Sequence, residues 1–263
     1  MDKRPIGVFD SGMGGLTVVK EIRRLMPNES IIYFGDTGRV PYGNRGTDTI
    51  IKYVKQDINF LKSNDIKAIV VACGTASAVA LPAINDSDVP IIGVVEPTAQ
   101  YALDTTKNGK IGIIGTTATI NSGMYQSLLS AKNGITVYEK ACPLFVPLAE
   151  NGYSNSEVAR IVAKDYLWDL KEKGVDTLIL GCTHYPLLKN AIKDIMGDGV
   201  TLINCGLPTA NYLLKTLKEN DCLSDGTPAH KYYVSDMTDE FVSLARTFLG
   251  DGVDIEKTDI NNY

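Results

Sequence analysis

Short apolar runs alternate with amphipathic segments along the whole chain, and that rhythm is the tightest constraint on its fold. Residues 68–72, Ala-Ile-Val-Val-Ala, read as a strand buried on both faces. Residues 6–9, 31–34 and 90–95 also read as strands, with helices expected over 16–25, 47–61 and 76–84. The rhythm then restarts. Strands are expected at 111–114, 135–138 and 177–180, and helices at 124–131, 156–173 and 187–196, the second capped by Ser154 or Ser156. Two more β-α pairs are expected, with strands at 201–203 and 232–234. This pattern predicts an α/β protein of two doubly wound domains with mainly parallel sheets. The expected boundary is near Glu96-Pro97, with a return to the first domain near Cys205-Gly206. Residues 1–96 and 207–263 would then form one domain and 97–206 the other.

A chain of 263 residues, 44% hydrophobic and 22% charged, buries a sizeable core without metal or disulfide support. Its net charge of −5 argues against nucleic acid as the main partner. No apolar stretch reaches the roughly 18 residues of a membrane span. Met1-Asp2-Lys3-Arg4-Pro5 runs straight into an apolar strand, without the long apolar region of a signal peptide. Five widely spaced cysteines suit free thiols in a reducing cytoplasm better than a disulfide framework.

One strand-to-helix junction occurs twice. Ala68-Ile69-Val70-Val71-Ala72-Cys73-Gly74-Thr75 is echoed by Thr177-Leu178-Ile179-Leu180-Gly181-Cys182-Thr183-His184. Doubly wound sheets bind ligands beyond the carboxyl ends of their strands, so the two cysteines occupy equivalent functional edges of the two halves. A single such cysteine is more often a small buried hydrophobe, and Cys142 and Cys222 are read that way. The repeated setting favours chemistry for Cys73 and Cys182. Two thiols facing one cleft can invert a carbon: a thiolate removes a proton from one face and a thiol returns one to the other. A redox pair would need contact and usually Cys-x-x-Cys spacing, which is absent.

His184 lies two residues after Cys182, on the same side in an extended chain, where it orients the thiol or accepts its proton. A metal site is not expected, because ligands at recognisable spacing are missing. Asp10 ends the first strand, and two readings are open for it: a proton acceptor or orienting group for Cys73, or a local turn or helix cap. Gly12-Met13-Gly14-Gly15 is not a dinucleotide or P-loop fingerprint. Arg39 and Arg45 sit in a polar loop after the second strand, either as site cations or as surface residues. Thr75, Thr117, Thr119 and Thr183 are hydroxyl donors or helix caps.

Taken together, the motifs resemble those of the glutamate racemases. The matching segments are Phe9-Asp10-Ser11-Gly12 with Gly14-Gly15-Leu16-Thr17, Tyr33-Phe34-Gly35-Asp36-Thr37 with 39–43, and Val71-Ala72-Cys73 with Thr75-Ala76-Ser77. They continue through 92–97, 142–148 and Leu180-Gly181-Cys182-Thr183-His184-Tyr185-Pro186. The resemblance implies two pseudo-symmetric α/β domains with the active site in the cleft between them and no cofactor. It also implies Cys73 and Cys182 as acid/base residues assisted by Asp10 and His184. Asp10, Ser11, Tyr42, Gly43, Gly74, Thr75, Thr119, Thr183 and His184 would line the amino-acid site. It further implies L- and D-glutamate as substrates, supply of D-glutamate for peptidoglycan, and a homodimer. Relatives mostly carry Asn where this chain has Gly74, and Asp-Ser-Gly where it has Asn204-Cys205-Gly206. Loss of the Asn carboxamide leaves open racemisation of another amino acid such as aspartate; a third possibility is a silent amino-acid-binding protein.

Overall fold

The computed structural model describes residues 1–84, 87–250 and 253–263, with the side chains of 240, 244 and 247 left aside. In chain order, β1 (Ile6–Asp10) leads to α1 (Leu16–Leu25), β2 (Ile31–Gly35), α2 (Thr47–Lys62), β3 (Ala68–Val71), α3 (Gly74–Val79) and β4 (Ile91–Gly93). Next come α4 (Val95–Thr105), β5 (Lys110–Gly115), α5 (Thr117–Asn121), α6 (Met124–Ser130), β6 (Thr136–Ala141) and α7 (Phe145–Glu150). They are followed by α8 (Glu157–Glu172), β7 (Thr177–Leu180), α9 (Lys189–Met196) and β8 (Thr201–Asn204). The last elements are α10 (Gly206–Glu219), β9 (His230–Val234), α11 (Asp239–Leu249) and β10 (Ile255–Lys257).

The chain divides into two compact units, Met1–Val94 with Gly206–Tyr263, and Val95–Cys205. The first unit carries a six-stranded parallel sheet in the order β10-β9-β2-β1-β3-β4. Every residue of β1, β2 and β3 is buried, as expected of strands covered by helices on both faces. α1 buries Leu16, Val18, Val19 and Ile22, a stripe at helical spacing. Gly15 permits the tight entry to α1, since a Cβ there would lie 2.5 Å from the Asp10 Cβ.

The second unit carries a four-stranded parallel sheet, β6-β5-β7-β8. Its order repeats β2-β1-β3-β4 of the first unit strand for strand. Its core gathers Ile114, Phe145, Leu167, Leu170, Leu178 and Tyr185 among others. The Phe145 ring meets Tyr166 at 5.4 Å and Tyr185 at 5.1 Å, both edge-on. Such pairs add about 0.5–1.5 kcal/mol each beyond area burial. Ser156 caps α8, its hydroxyl accepting from the Ala159 amide at 3.1 Å, which decides between the two serines.

Several boundaries differ from expectation. The helix expected over 76–84 starts earlier, at Gly74, and ends at Val79. A single 3-10 turn then runs Leu81–Ala83, because Pro82 supplies no amide to continue an α-helix. The strand expected over 90–95 spans only Ile91–Gly93, and Val95 already opens α4. Glu96-Pro97 is therefore the first turn of a helix, where proline is tolerated. The helix expected from 187 begins as a 3-10 turn, Tyr185–Leu188, before α9. α4, α5, α7 and β10 have no counterpart among the expected elements. Among the described residues, no helix is long and apolar enough to cross a membrane.

Candidate active site

In each unit the strand order reverses beside the first strand laid down, and such switch points open a crevice at the strands' carboxyl ends. Asp10 ends β1 and Cys73 follows β3, so they flank that crevice in the first unit. Cys182 follows β7 next to β5 in the same topological place of the second unit. The duplicated junction read from sequence is thus a duplicated position in the fold.

In the first unit, Asp10 is fully buried, and its Oδ2 accepts the Gly12 amide at 3.1 Å. The local-turn role left open from sequence is therefore realised, and it fixes the carboxylate's direction. Cys73 is buried, its thiol 3.3 Å from the Ser11 hydroxyl, and its sulphur accepts the Ala76 amide at 3.4 Å at the start of α3. Tyr33 lies under both groups. Burial, then the nearby Asp10 and Cys73, push its hydroxyl well above the ordinary phenol range, and it donates to the Gly12 carbonyl at 2.9 Å. Gly74 and Thr75 are buried in the first turn of α3.

Tyr42 and Gly43 are buried in a turn beside α3. The Tyr42 hydroxyl points into the protein, onto Asp36 and Asp57. Arg39 is committed to the same two carboxylates, at 2.6 and 2.9 Å, and Arg45 is exposed. Arg39 is thus engaged by these two carboxylates, which goes against the site-cation reading for that residue.

In the second unit, the Cys182 sulphur lies 3.8 Å from Nδ1 of His184. The contact does not arise from extended backbone, as expected; His184 has helical dihedrals and opens the 3-10 turn. Its Nε2 lies 3.1 Å from Oε1 of Glu150. The nearby carboxylate favours the tautomer with its proton on Nε2, which makes Nδ1 the acceptor toward the thiol. Glu150 escaped the sequence reading entirely. It ends α7, which the Phe145–Tyr185 contact packs against the turn that follows His184. Thr183 is buried beside Cys182. Thr119 is buried in α5, its hydroxyl 2.9 Å from that of Thr116, which caps the helix; Thr117 is exposed.

The other thiols differ. Burial pushes the Cys142 thiol far up, and that of Cys205 up to about 11. All five cysteines are free. Among the described residues, no cluster of three or more His, Cys, Asp or Glu side chains is disposed to hold a metal ion.

Comparison with known proteins follows this geometry. Residues 7–212 match the family described as Asp/Glu/Hydantoin racemase. The glutamate racemase of Persephonella marina is 46% identical, over 97% of each chain. Among solved structures, a glutamate racemase from Bacillus anthracis superposes with a TM-score of 0.94 at 40% identity, covering 98% of both chains. One from Francisella tularensis, in complex with D-glutamate, gives 0.92 at 38% identity over both whole chains. With the family matched over most of its length and relatives of such identity covering nearly all of it, the chain belongs to the Asp/Glu/hydantoin racemase family.

Proposed function

We propose that this protein is a glutamate racemase that works without a cofactor, using Cys73 and Cys182 as acid/base residues on opposite faces of the α-carbon. The observation that carries this is the duplicated cysteine at the switch point of each sheet, each with its own polar escort. Cys182 has His184 backed by Glu150. Cys73 has the Ser11 hydroxyl and the Ala76 amide, with Asp10 at the end of the neighbouring strand. The close similarity to glutamate racemases supports glutamate as the substrate.

In the direction that begins at Cys182, its thiol proton passes to Nδ1 of His184, and Glu150 stabilises the imidazolium. The thiolate removes the α-proton, and the Cys73 thiol delivers its own to the opposite face. The product has inverted configuration; Cys182 is again a thiol, Cys73 is a thiolate, and the proton first passed to His184 returns through solvent to reset Cys73. In the reverse direction Cys73 is the base, and Asp10 serves as acceptor or orienting group. The carbanion demands donors on the substrate carboxylate in a site that excludes water, each such donor being worth roughly 10²–10³ in rate. Ser11, Gly43, Gly74, Thr75, Thr119 and Thr183 are the groups we assign to that binding, with Tyr42 contributing through its turn rather than its hydroxyl. In this reading the two compact units act as two domains, each supplying one thiol. The protein would work in the cytoplasm as a homodimer, supplying D-glutamate for peptidoglycan.

The test is proton NMR with L-glutamate in D2O, alongside circular dichroism, on the native chain and on Cys73→Ala and Cys182→Ala. The native chain is expected to lose the α-proton signal and the optical activity together, and each variant to lose racemisation. Full racemisation by either single variant would end the two-thiol scheme.

A further inference from the structure

Behind the Tyr42-Gly43 turn lies a polar network that the acid/base scheme does not use. Asp36 and Asp57 are both fully buried. Arg39 donates from Nε to Oδ2 of Asp36 at 2.6 Å, from Nη2 to Oδ1 of Asp57 at 2.9 Å, and from Nη1 to Gln56 at 2.6 Å. The guanidinium also stacks on Tyr53 at 4.1 Å. The Tyr42 hydroxyl sits between the two acids, bonded to Oδ2 of Asp36 and 2.9 Å from Oδ2 of Asp57.

The hydrogens do not balance if both acids are ionised. A phenol carries one O–H, yet two carboxyl oxygens lie on it. The Arg39 nitrogens that reach these acids are directed at Asp36 Oδ2 and Asp57 Oδ1, so none serves Asp57 Oδ2. The second hydrogen must come from a carboxyl. Asp36 Oδ2 receives both Arg39 Nε–H and Tyr42 O–H, which concentrates the anion's stabilisation on that oxygen, Oδ1 being buried without a hydrogen-bond partner. Asp57 Oδ2 meets only the phenol oxygen. The consistent arrangement is a chain in which Asp57 donates to Tyr42 and Tyr42 donates to Asp36, leaving one anion against one guanidinium. The charges agree: burial first, then the Asp36 and Asp10 carboxylates, hold the Asp57 carboxyl well above the usual range, against the opposing pull of Arg39 and Tyr42.

We propose that Asp57 is a positioning residue held as a neutral acid, whose proton closes the network that fixes the Tyr42-Gly43 turn as one wall of the substrate site. This rests on the racemase reading only for what the turn contacts; the protonation state stands apart from it. The turn comes from a polar loop after β2, which has no regular pairing of its own at that point, and Asp57 comes from the buried face of α2. The network ties that loop to a rigid helix.

Asparagine mimics a neutral carboxyl, whereas alanine deletes the link. Asp57→Asn is therefore expected to keep KM for glutamate within about twofold, while Asp57→Ala raises it roughly tenfold, equivalent to about 1.4 kcal/mol of binding, with kcat changed less. The second readout needs no substrate. The unfolded chain ionises Asp57 above a pH of about 3.9, while the folded chain keeps it protonated. Its favourable contribution is whole below that pH and drains away as pH rises toward the folded value. The melting temperature of the native chain should therefore fall relative to Asp57→Asn as pH rises above about 4, the unfolded-state value. An infrared carbonyl band of a protonated carboxyl, present at neutral pH and lost in Asp57→Asn, should accompany it. Parallel melting profiles together with no such band would overturn the neutral acid, whether or not the chain racemises glutamate. If Asp57→Asn proved as impaired in KM as Asp57→Ala, the positioning role would fall.

Discussion

Lys67 offers a test of how the first unit is held together. Its side chain is wholly buried just before β3, and Nζ makes three contacts: 2.6 Å to Oε2 of Glu29, 2.7 Å to the Asp2 carbonyl and 2.7 Å to the Cys222 carbonyl. Glu29 in turn accepts the Ser224 amide at 2.8 Å. One ammonium thus joins the N-terminal segment, the connection between α1 and β2, the start of β3 and the segment that follows α10. Lys67→Met keeps most of the volume but strips all three donors, leaving a buried carboxylate without its cation. Breaking a buried pair from one side costs about 3–5 kcal/mol. For a chain of this size each kcal/mol is worth about 2–4 °C, so the melting temperature should fall by roughly 6–20 °C. Changing both partners, Lys67→Met with Glu29→Leu, removes the stranded charge and should recover most of that loss, because apolar replacement of a buried pair is often neutral or stabilising. Calorimetry on the two single variants and the double reads the coupling directly. Racemisation at 25 °C should stay near the native rate in Lys67→Met, since residues 67 and 73 lie at opposite ends of β3, roughly 20 Å apart at strand rise. A melting shift under about 2 °C, or a double variant no better than the single, would show that the pair is not what fastens these segments.

Other expectations concern the chemistry. Glu150→Gln removes the charge that stabilises the His184 imidazolium, and kcat/KM should fall by about 10–100-fold. The fall should be equal for L- and D-glutamate, because enantiomers fix the equilibrium constant at unity; circular dichroism progress curves from both sides check this. Gly74→Asn adds a carboxamide that can donate to a carboxylate, and glutamate turnover should rise relative to aspartate turnover; an unchanged ratio would show that Gly74 does not set specificity. Mass-spectrometric mapping after brief iodoacetamide treatment near neutral pH should leave Cys142 and Cys205 unmodified, because burial keeps both as thiols.

Much of this was legible in the chain because parallel strands covered on both faces leave an uninterrupted apolar run, as 68–72 and 177–180 do. The repeated Cys73 and Cys182 junctions inherit that clarity: a strand end is a position the sequence pattern locates well. Glu150 was not legible. Nothing in the segment carrying it marks a glutamate as special, and only the packing of Phe145 on Tyr185 brings it to His184. Asp57 was hidden for the opposite reason. It occupies a polar place in an amphipathic pattern, yet lies on the buried face of α2, where Arg39 and Tyr42 satisfy it. The helix end near Pro82 was misjudged, and the helix that Glu96-Pro97 opens was missed, because proline signals a boundary without saying on which side the helix lies.

The strand order of the first sheet also has a bearing on synthesis. β9 and β10 are added outside β2, although they are among the last elements to be made. As the chain leaves the ribosome, β1 to β4 can pair early, and residues 95–205 can complete their own sheet next. Throughout that interval β2 is a bare edge, five buried-type residues with unpaired amides and carbonyls on one side. Any nascent or truncated chain that stops before His230 therefore presents an adhesive strand, and β9 doubles as the cover that shields the β2 edge from other copies of the chain.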